Sequence, residues 1–180
     1  MEKAMPDMKS AFEAKGIRSS SPANSPPRSG GQPGQWQRQN TEQQTLRVPE
    51  GYPKYFKTDT NGCSYLDPAY VSDLAENIAG QLKQAQPKLT RHQLRAFYDH
   101  AKRQVARVQD GCNIDQVQSE VQKMQAIGAS RATKSGASIS PQFLDFITRN
   151  VKAVKTSEDL LRGFIKHFEA VVAFCADAKD

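Results

Sequence analysis

Long apolar runs are missing from this chain. The longest, residues 170–176, falls far short of the roughly 20 residues that a membrane-crossing helix needs, so no bilayer span is expected. Residues 1–16 lack the apolar core of a secretory signal and carry Glu2, Asp7 and Glu13 instead. A cytoplasmic protein is the expectation. Cysteine is scarce: Cys63, Cys112 and Cys175 lie far apart, with none of the close pair spacings of zinc ligands. His92, His100 and His167 have no companions at metal or triad spacing. Reduced thiols and no metal follow. Nor is there a GxSxG, an HExxH or a Walker-type loop, so neither a catalytic residue nor a cofactor is expected. His92, Asp99 and His100 share one helix and suggest an acid–base site on paper, but neighbours on a helix point about 100° apart. Finally, no segment alternates apolar and polar residues over a strand length, and no Asn-Gly pair joins two β-like runs. What survives is an all-α fold without enzymatic activity.

What the chain does have is positive charge. A formal charge of +6 and a pI near 9.3 favour an anionic partner, nucleic acid first. With 37% hydrophobic residues among 180, there is material for one modest core. Residues 19–44 are a Pro, Gly, Ser and Gln tract whose one large apolar residue is Trp36, so residues 1–47 read as a disordered tail. Arg18, Arg28 and Arg38 are spread too widely along it to focus much field, which favours a solvated tail over an RNA-touching arm. Residues 48–66 hold turn signals at Pro49, Gly51, Pro53 and Asn61-Gly62 between the aromatics Tyr52, Tyr55, Phe56 and Tyr65. This stretch should drape irregularly over the rest or over a partner.

Residues 67–180 read as a five-helix bundle. Asp67-Pro68 opens the first helix, in which Val71, Leu74, Ala75, Ile78 and Leu82 recur on one face until Pro87. Thr90 and Gln93 make a capping box ahead of Leu94, Phe97, Tyr98, Ala101, Val105 and Val108, and Gly111 stops that second helix. Asn113 caps a third, which should end at Ile127 before Gly128, with a small, polar, basic loop over residues 129–139. Ser140-Pro141 opens a fourth. Thr156 or Ser157 opens a fifth, apolar on more than one face and therefore expected at the centre.

Charge concentrates in one place. Lys88, Arg91, Arg95, Lys102, Arg103 and Arg107 lie between Pro87 and Val108 with Asp99 as the sole acid among them. Arg91, Arg95 and Lys102 fall within about 40° of one another on a helix wheel, beside the apolar stripe, and Arg103 and Arg107 lie further round. A merely solvated helix would ordinarily interleave acids at i±4. Their near absence points to phosphate contacts. Arg131 and Lys134 in the loop after Gly128 add donors of the same kind, and Arg149, Lys152 and Lys155 offer an extension.

The run Lys88-Leu89-Thr90-Arg91-His92-Gln93-Leu94-Arg95-Ala96-Phe97-Tyr98 resembles the capped Leu-Thr-x-x-Gln-[Ile or Leu]-Arg helix of the small subunit of type III-A CRISPR effector complexes. The C-terminal run from Glu158-Asp159-Leu160 through Phe164 to His167-Phe168-Glu169 and Phe174 is similar to that family's last helix. The resemblance covers about residues 70–176 and leaves the leader outside. It implies a five-helix, non-catalytic subunit present in several adjacent copies. It further implies contacts to crRNA and target RNA, to the backbone subunits and to the polymerase-like large subunit. By position, Arg91 and Arg95 would face RNA, while Phe164, Phe168 and Val172 would be core. Two rivals stand beside it. One is a stand-alone DNA-binding protein with a helix-turn-helix around Gly111, whose recognition helix would carry little charge. The other is a protein-only structural adaptor.

Overall fold

A computed structural model of the chain describes residues 45–133 and 138–176. Residues 1–44 of the expected tail, and Lys134, lie outside the described residues. Among the described residues, five α-helices carry the fold: α1 (Asp73–Gln84), α2 (Arg91–Gln109), α3 (Ile114–Thr133), α4 (Pro141–Ala153) and α5 (Ile165–Ala176). A short 3-10 turn, Pro68–Val71, leads into α1, and a π-helical turn, Asp159–Phe164, runs directly into α5.

The expected start signals hold where side chains can be seen to act. Thr90 and Gln93 close a reciprocal capping box and Ser140 accepts from the Phe143 N–H, whereas Asp67, which accepts a hydrogen bond from the Ala69 N–H, caps the 3-10 turn and not α1, whose start at Asp73 follows Ser72 without a side-chain cap. Gly111 stops α2 at a φ of +97°, where a side chain would be strained. α5 packs on α1 and α2, α2 on α3, and α3 on α4. Phe143, Phe146, Phe164 and Phe168 are fully buried where these seams converge, and the last helix is the centre, as its apolar breadth implied.

Two expectations need correction. Gly128 does not end the third helix: α3 continues through it to Thr133, so Arg131 sits on a helix and not in a loop. A Cβ on Gly128 would stand 3.1 Å from the Leu144 Cδ1, which makes this glycine the point of close approach between α3 and α4. Residues 48–66 are not irregular throughout. Phe56–Thr58 (β1) pairs antiparallel with Ser64–Leu66 (β2), Phe56 opposite Leu66. The turn between them is folded by the Asp59 carboxylate, which accepts from the N–H groups of Asn61 and Cys63, both at 2.8 Å, and by Gly62 at a φ of +81°. Asn61-Gly62 does join two strands, but each is three residues long, too short for alternation to register.

Ahead of this hairpin, residues 45–55 form a strap across the bundle. The Leu46 N–H donates to Asp145 on α4, and the backbone of Arg47 exchanges two hydrogen bonds with Gln81 on α1. Leu46, Tyr52 and Tyr55 are buried, and the Tyr55 ring occupies the space a side chain on Gly163 would need, its Cδ2 2.6 Å from that Cβ position. Beneath the strap lies a closed polar network. His167 Nδ1 faces the Tyr70 carbonyl, which can only accept, so Nδ1 carries the proton and Nε2 accepts from the Tyr52 hydroxyl at 2.8 Å. The Asn150 amide donates to the Tyr52 oxygen and to the Phe146 carbonyl, both at 2.8 Å, while its own oxygen accepts from the Tyr55 hydroxyl at 2.7 Å. Every proton has one destination, and no member is charged. Burial holds the His167 imidazole down to about 4 against the opposing pull of the Tyr70 carbonyl, and burial pushes both tyrosine hydroxyls above their usual range.

Candidate nucleic-acid interface

Because Leu94, Phe97 and Ala101 are buried, the opposite side of α2 is free to carry charge. The end of α1, the linker after it, α2 and the last turn of α5 enclose a groove of about 790 Å³. Lys88, Arg91, Arg95 and Lys102 all line it, so four of the eight sequence-assigned residues converge on one feature. Lys83, from the end of α1, joins them; nothing in the sequence linked it to this cluster, since α1 and α2 meet here only through the tertiary fold. Asp99 is the lone acid of the lining. Among the described residues no carboxylate lies within ion-pair distance of Lys88, Arg95 or Lys102.

Arg91 differs from its neighbours. Its guanidinium donates to the Ala176 carbonyl at 3.1 Å and so satisfies one of the orphan acceptors at the C-terminus of α5. The groove floor is apolar: Leu82, Leu89, Leu94, Tyr98, Val172 and Cys175. Val172, expected in the core, is half-buried and faces this groove, whereas Phe164 and Phe168 are core. The Tyr98 ring stands edge-on to Phe168 at 5.7 Å, and the Lys102 ammonium lies 5.6 Å from its centroid. Burial, with Glu169 alongside, pushes the Tyr98 hydroxyl up to about 12, and burial raises the Cys175 thiol to about 11. Both stay neutral at physiological pH.

Arg103 and Arg107 lie elsewhere, toward α3. His100 donates from Nε2 to the Glu120 carbonyl at 2.9 Å, which leaves Nδ1 to accept from Arg103, 3.5 Å away. Arg107 donates to Gln104, itself buried. Arg131 rests 5.6 Å over the Phe97 ring. Arg149 is held by Asp145 at 2.9 Å, while Lys152 and Lys155 are exposed. On α3, the helix that would have to enter a DNA groove, the basic residues are Arg131 on its ring and Lys123, which pairs with Glu120. Among the described residues no group of three or more His, Cys, Asp or Glu could hold a metal ion, and no helix is long and apolar enough to cross a membrane.

The family model described as Csm2 Type III-A matches residues 66–178, more than half of the chain and all of the groove. No curated protein and no solved structure matches the chain.

Proposed function

The chain belongs to the Csm2 family of type III-A CRISPR small subunits, and from that premise we propose that it is a non-catalytic component that binds the RNA backbone through the groove beside α2. The observation that carries this reading is the convergence of Lys83, Lys88, Arg91, Arg95 and Lys102 on one groove with a single acid among them. Of these, Lys88, Arg95 and Lys102 have no carboxylate partner among the described residues, so phosphate oxygens find their charge available. Arg103, Arg107 and Arg131 border other faces and extend the positive field, which steers RNA more than it fixes it; Lys134 belongs to the same proposal. In the effector complex, crRNA and target RNA are the ligands, and the backbone subunits, the large subunit and adjacent copies of this chain are the neighbours. The protein works in the cytoplasm.

Co-purification tests the assignment. A tagged chain expressed with its complex brings down a short guide RNA and the other subunits, whereas Arg95→Glu with Lys102→Glu loses the RNA. If that double variant keeps its RNA at wild-type yield, the groove is not the RNA site. If it loses the protein subunits but binds free RNA normally, the surface is a protein interface and the adaptor reading replaces this one.

A further inference from the structure

A surface that only met phosphates would have no use for an apolar floor, yet this groove has Leu89, Leu94, Tyr98 and Val172 beneath its cations. The Tyr98 ring is anchored by Phe168 on one side and reached by the Lys102 ammonium, an exposed group that can swing away. A face that receives a mobile cation can receive the face of a planar ring instead. Asp99 narrows the ligand further. Its carboxylate repels the side chains of an acidic peptide, which have only acceptors to offer at neutral pH, but it can accept a hydrogen bond from the N–H edge of a base. In a duplex those edges are paired and the base faces stacked.

We propose that this groove takes an unpaired RNA nucleotide, its base lying on the apolar floor beside Tyr98 and its flanking phosphates on the cationic rim. The inference rests on the RNA-binding reading above and adds to it a preference for unpaired over duplex RNA. Lys88 and Arg95 hold the phosphates on either side while Lys102 leaves the ring for the backbone.

The test compares the full chain's affinity for a single-stranded RNA oligomer, the same oligomer with all bases removed, and a duplex of equal length. The abasic strand is expected to bind about tenfold more weakly, as loss of one stacked base implies, with an unchanged dependence of log K on log salt. The duplex should bind no better than the abasic strand. Equal affinity for the base-bearing and abasic strands overturns this inference and leaves the phosphate reading intact; failure of both to bind sinks the reading on which it rests. Tyr98→Leu should erase the difference between the two strands, whereas Tyr98→Phe should retain it. Since Tyr98 also packs on Phe168, a second measurement uses the wild-type chain. Alkylation of Cys175, on the groove floor, should be slowed by the base-bearing strand and not by the abasic one, with the exposed Cys63 unaffected as internal reference. Protection by both strands alike, or by polyglutamate as well as by RNA, would mean that any polyanion fills the groove and would refute the assignment.

Discussion

Two polar regions of this molecule are built on opposite rules. Under the strap, Tyr52, Tyr55, His167 and Asn150 are buried and each polar atom has a partner, so the region has nothing left with which to bind anything. Along the groove, Lys88, Arg95 and Lys102 are exposed, and no carboxylate among the described residues neutralises them. A satisfied buried network specifies one packing arrangement and is costly to break. An unsatisfied surface contributes little to folding and is open to a ligand. The two regions share α5, which supplies His167 to the first and the Val172 to Ala176 wall to the second. Variants should therefore separate cleanly into those that unfold the chain and those that only silence it.

The sharpest break of this contrast removes the strap. Deleting residues 1–56 takes Leu46, Tyr52 and Tyr55 out of the core and strips Asn150 and His167 of partners. At roughly 2–5 kcal/mol per large buried side chain, the loss should be about 5 kcal/mol or more, comparable with the whole stability of a small domain. Circular dichroism should show no cooperative melt, while a chain starting at Thr45 should melt like the full one. If a fragment covering only residues 66–178, the span of the family match, melts within a few degrees of the full chain, the strap is dispensable and the contrast fails.

Next in size is a pH effect confined to the buried region. His167 titrates near 4 when folded against an ordinary value near 6.5, so the unfolded chain binds the proton more readily. Stability is fully present above about pH 6.5 and falls as the pH drops toward 4, by at most about 3 kcal/mol for this one group. Below 4 the contribution levels off. His167→Gln keeps a donor and an acceptor but cannot titrate; its urea midpoint should decline less than that of the wild type between pH 7 and 4.5. Parallel declines in the two proteins would assign the acid sensitivity to other groups.

The same contrast explains which features can be read from the residues alone. The starts of α2 and α4, and the 3-10 turn ahead of α1, were legible because Thr90, Ser140 and Asp67 act within three positions of themselves. Arg91, Arg95 and Lys102 were legible because one helix brings them together. The strap network was not, since Tyr52 and His167 meet across 115 positions and no local pattern records such a pairing. Gly128 has the local look of a helix stop, but packing against Leu144 on α4 determines its role. The two strands are set by Asp59 and Gly62 in the turn and by Lys57 pairing with Asp67 at 2.8 Å, and only the Asn61-Gly62 pair signals this in sequence.

Groove variants should show the reverse profile. Replacing Lys88, Arg95 and Lys102 with Met leaves the buried network untouched and should alter stability by about 0.5 kcal/mol or less per site. For single-stranded RNA the slope of log K against log salt should shrink by roughly 0.7 for each phosphate that no longer meets a cation, about 2 in total, with affinity down about a hundredfold at low salt for all sequences alike. The matched control is Lys54, Lys152 and Lys155 to Met, which removes the same charge from residues that do not line this groove. An equal drop in the control would reduce the effect to bulk charge.

The smallest effect expected is the most discriminating, because Arg91 obeys both rules at once. It lines the groove with Arg95, yet its guanidinium is hydrogen-bonded to the Ala176 carbonyl at the end of α5. A cation at a helix C-terminus stabilises by roughly 0.3–1 kcal/mol when exposed, so Arg91→Met should cost up to about 1 kcal/mol where Arg95→Met costs nearly nothing. High salt should narrow that gap, since the interaction is exposed and screened. In RNA binding the order reverses: Arg95 is uncommitted, whereas Arg91 must share its donors between a phosphate and the Ala176 carbonyl. Arg91→Lys then serves to separate the roles, because an ammonium keeps the charge but loses the planar fork that can hold two acceptors. Expected is a stability nearer to the wild type than to Arg91→Met, because the charge at the helix end remains, with RNA affinity also close to wild type. If Arg91→Lys keeps the stability but loses the RNA, the fork serves the ligand, and Arg91 belongs wholly to the groove.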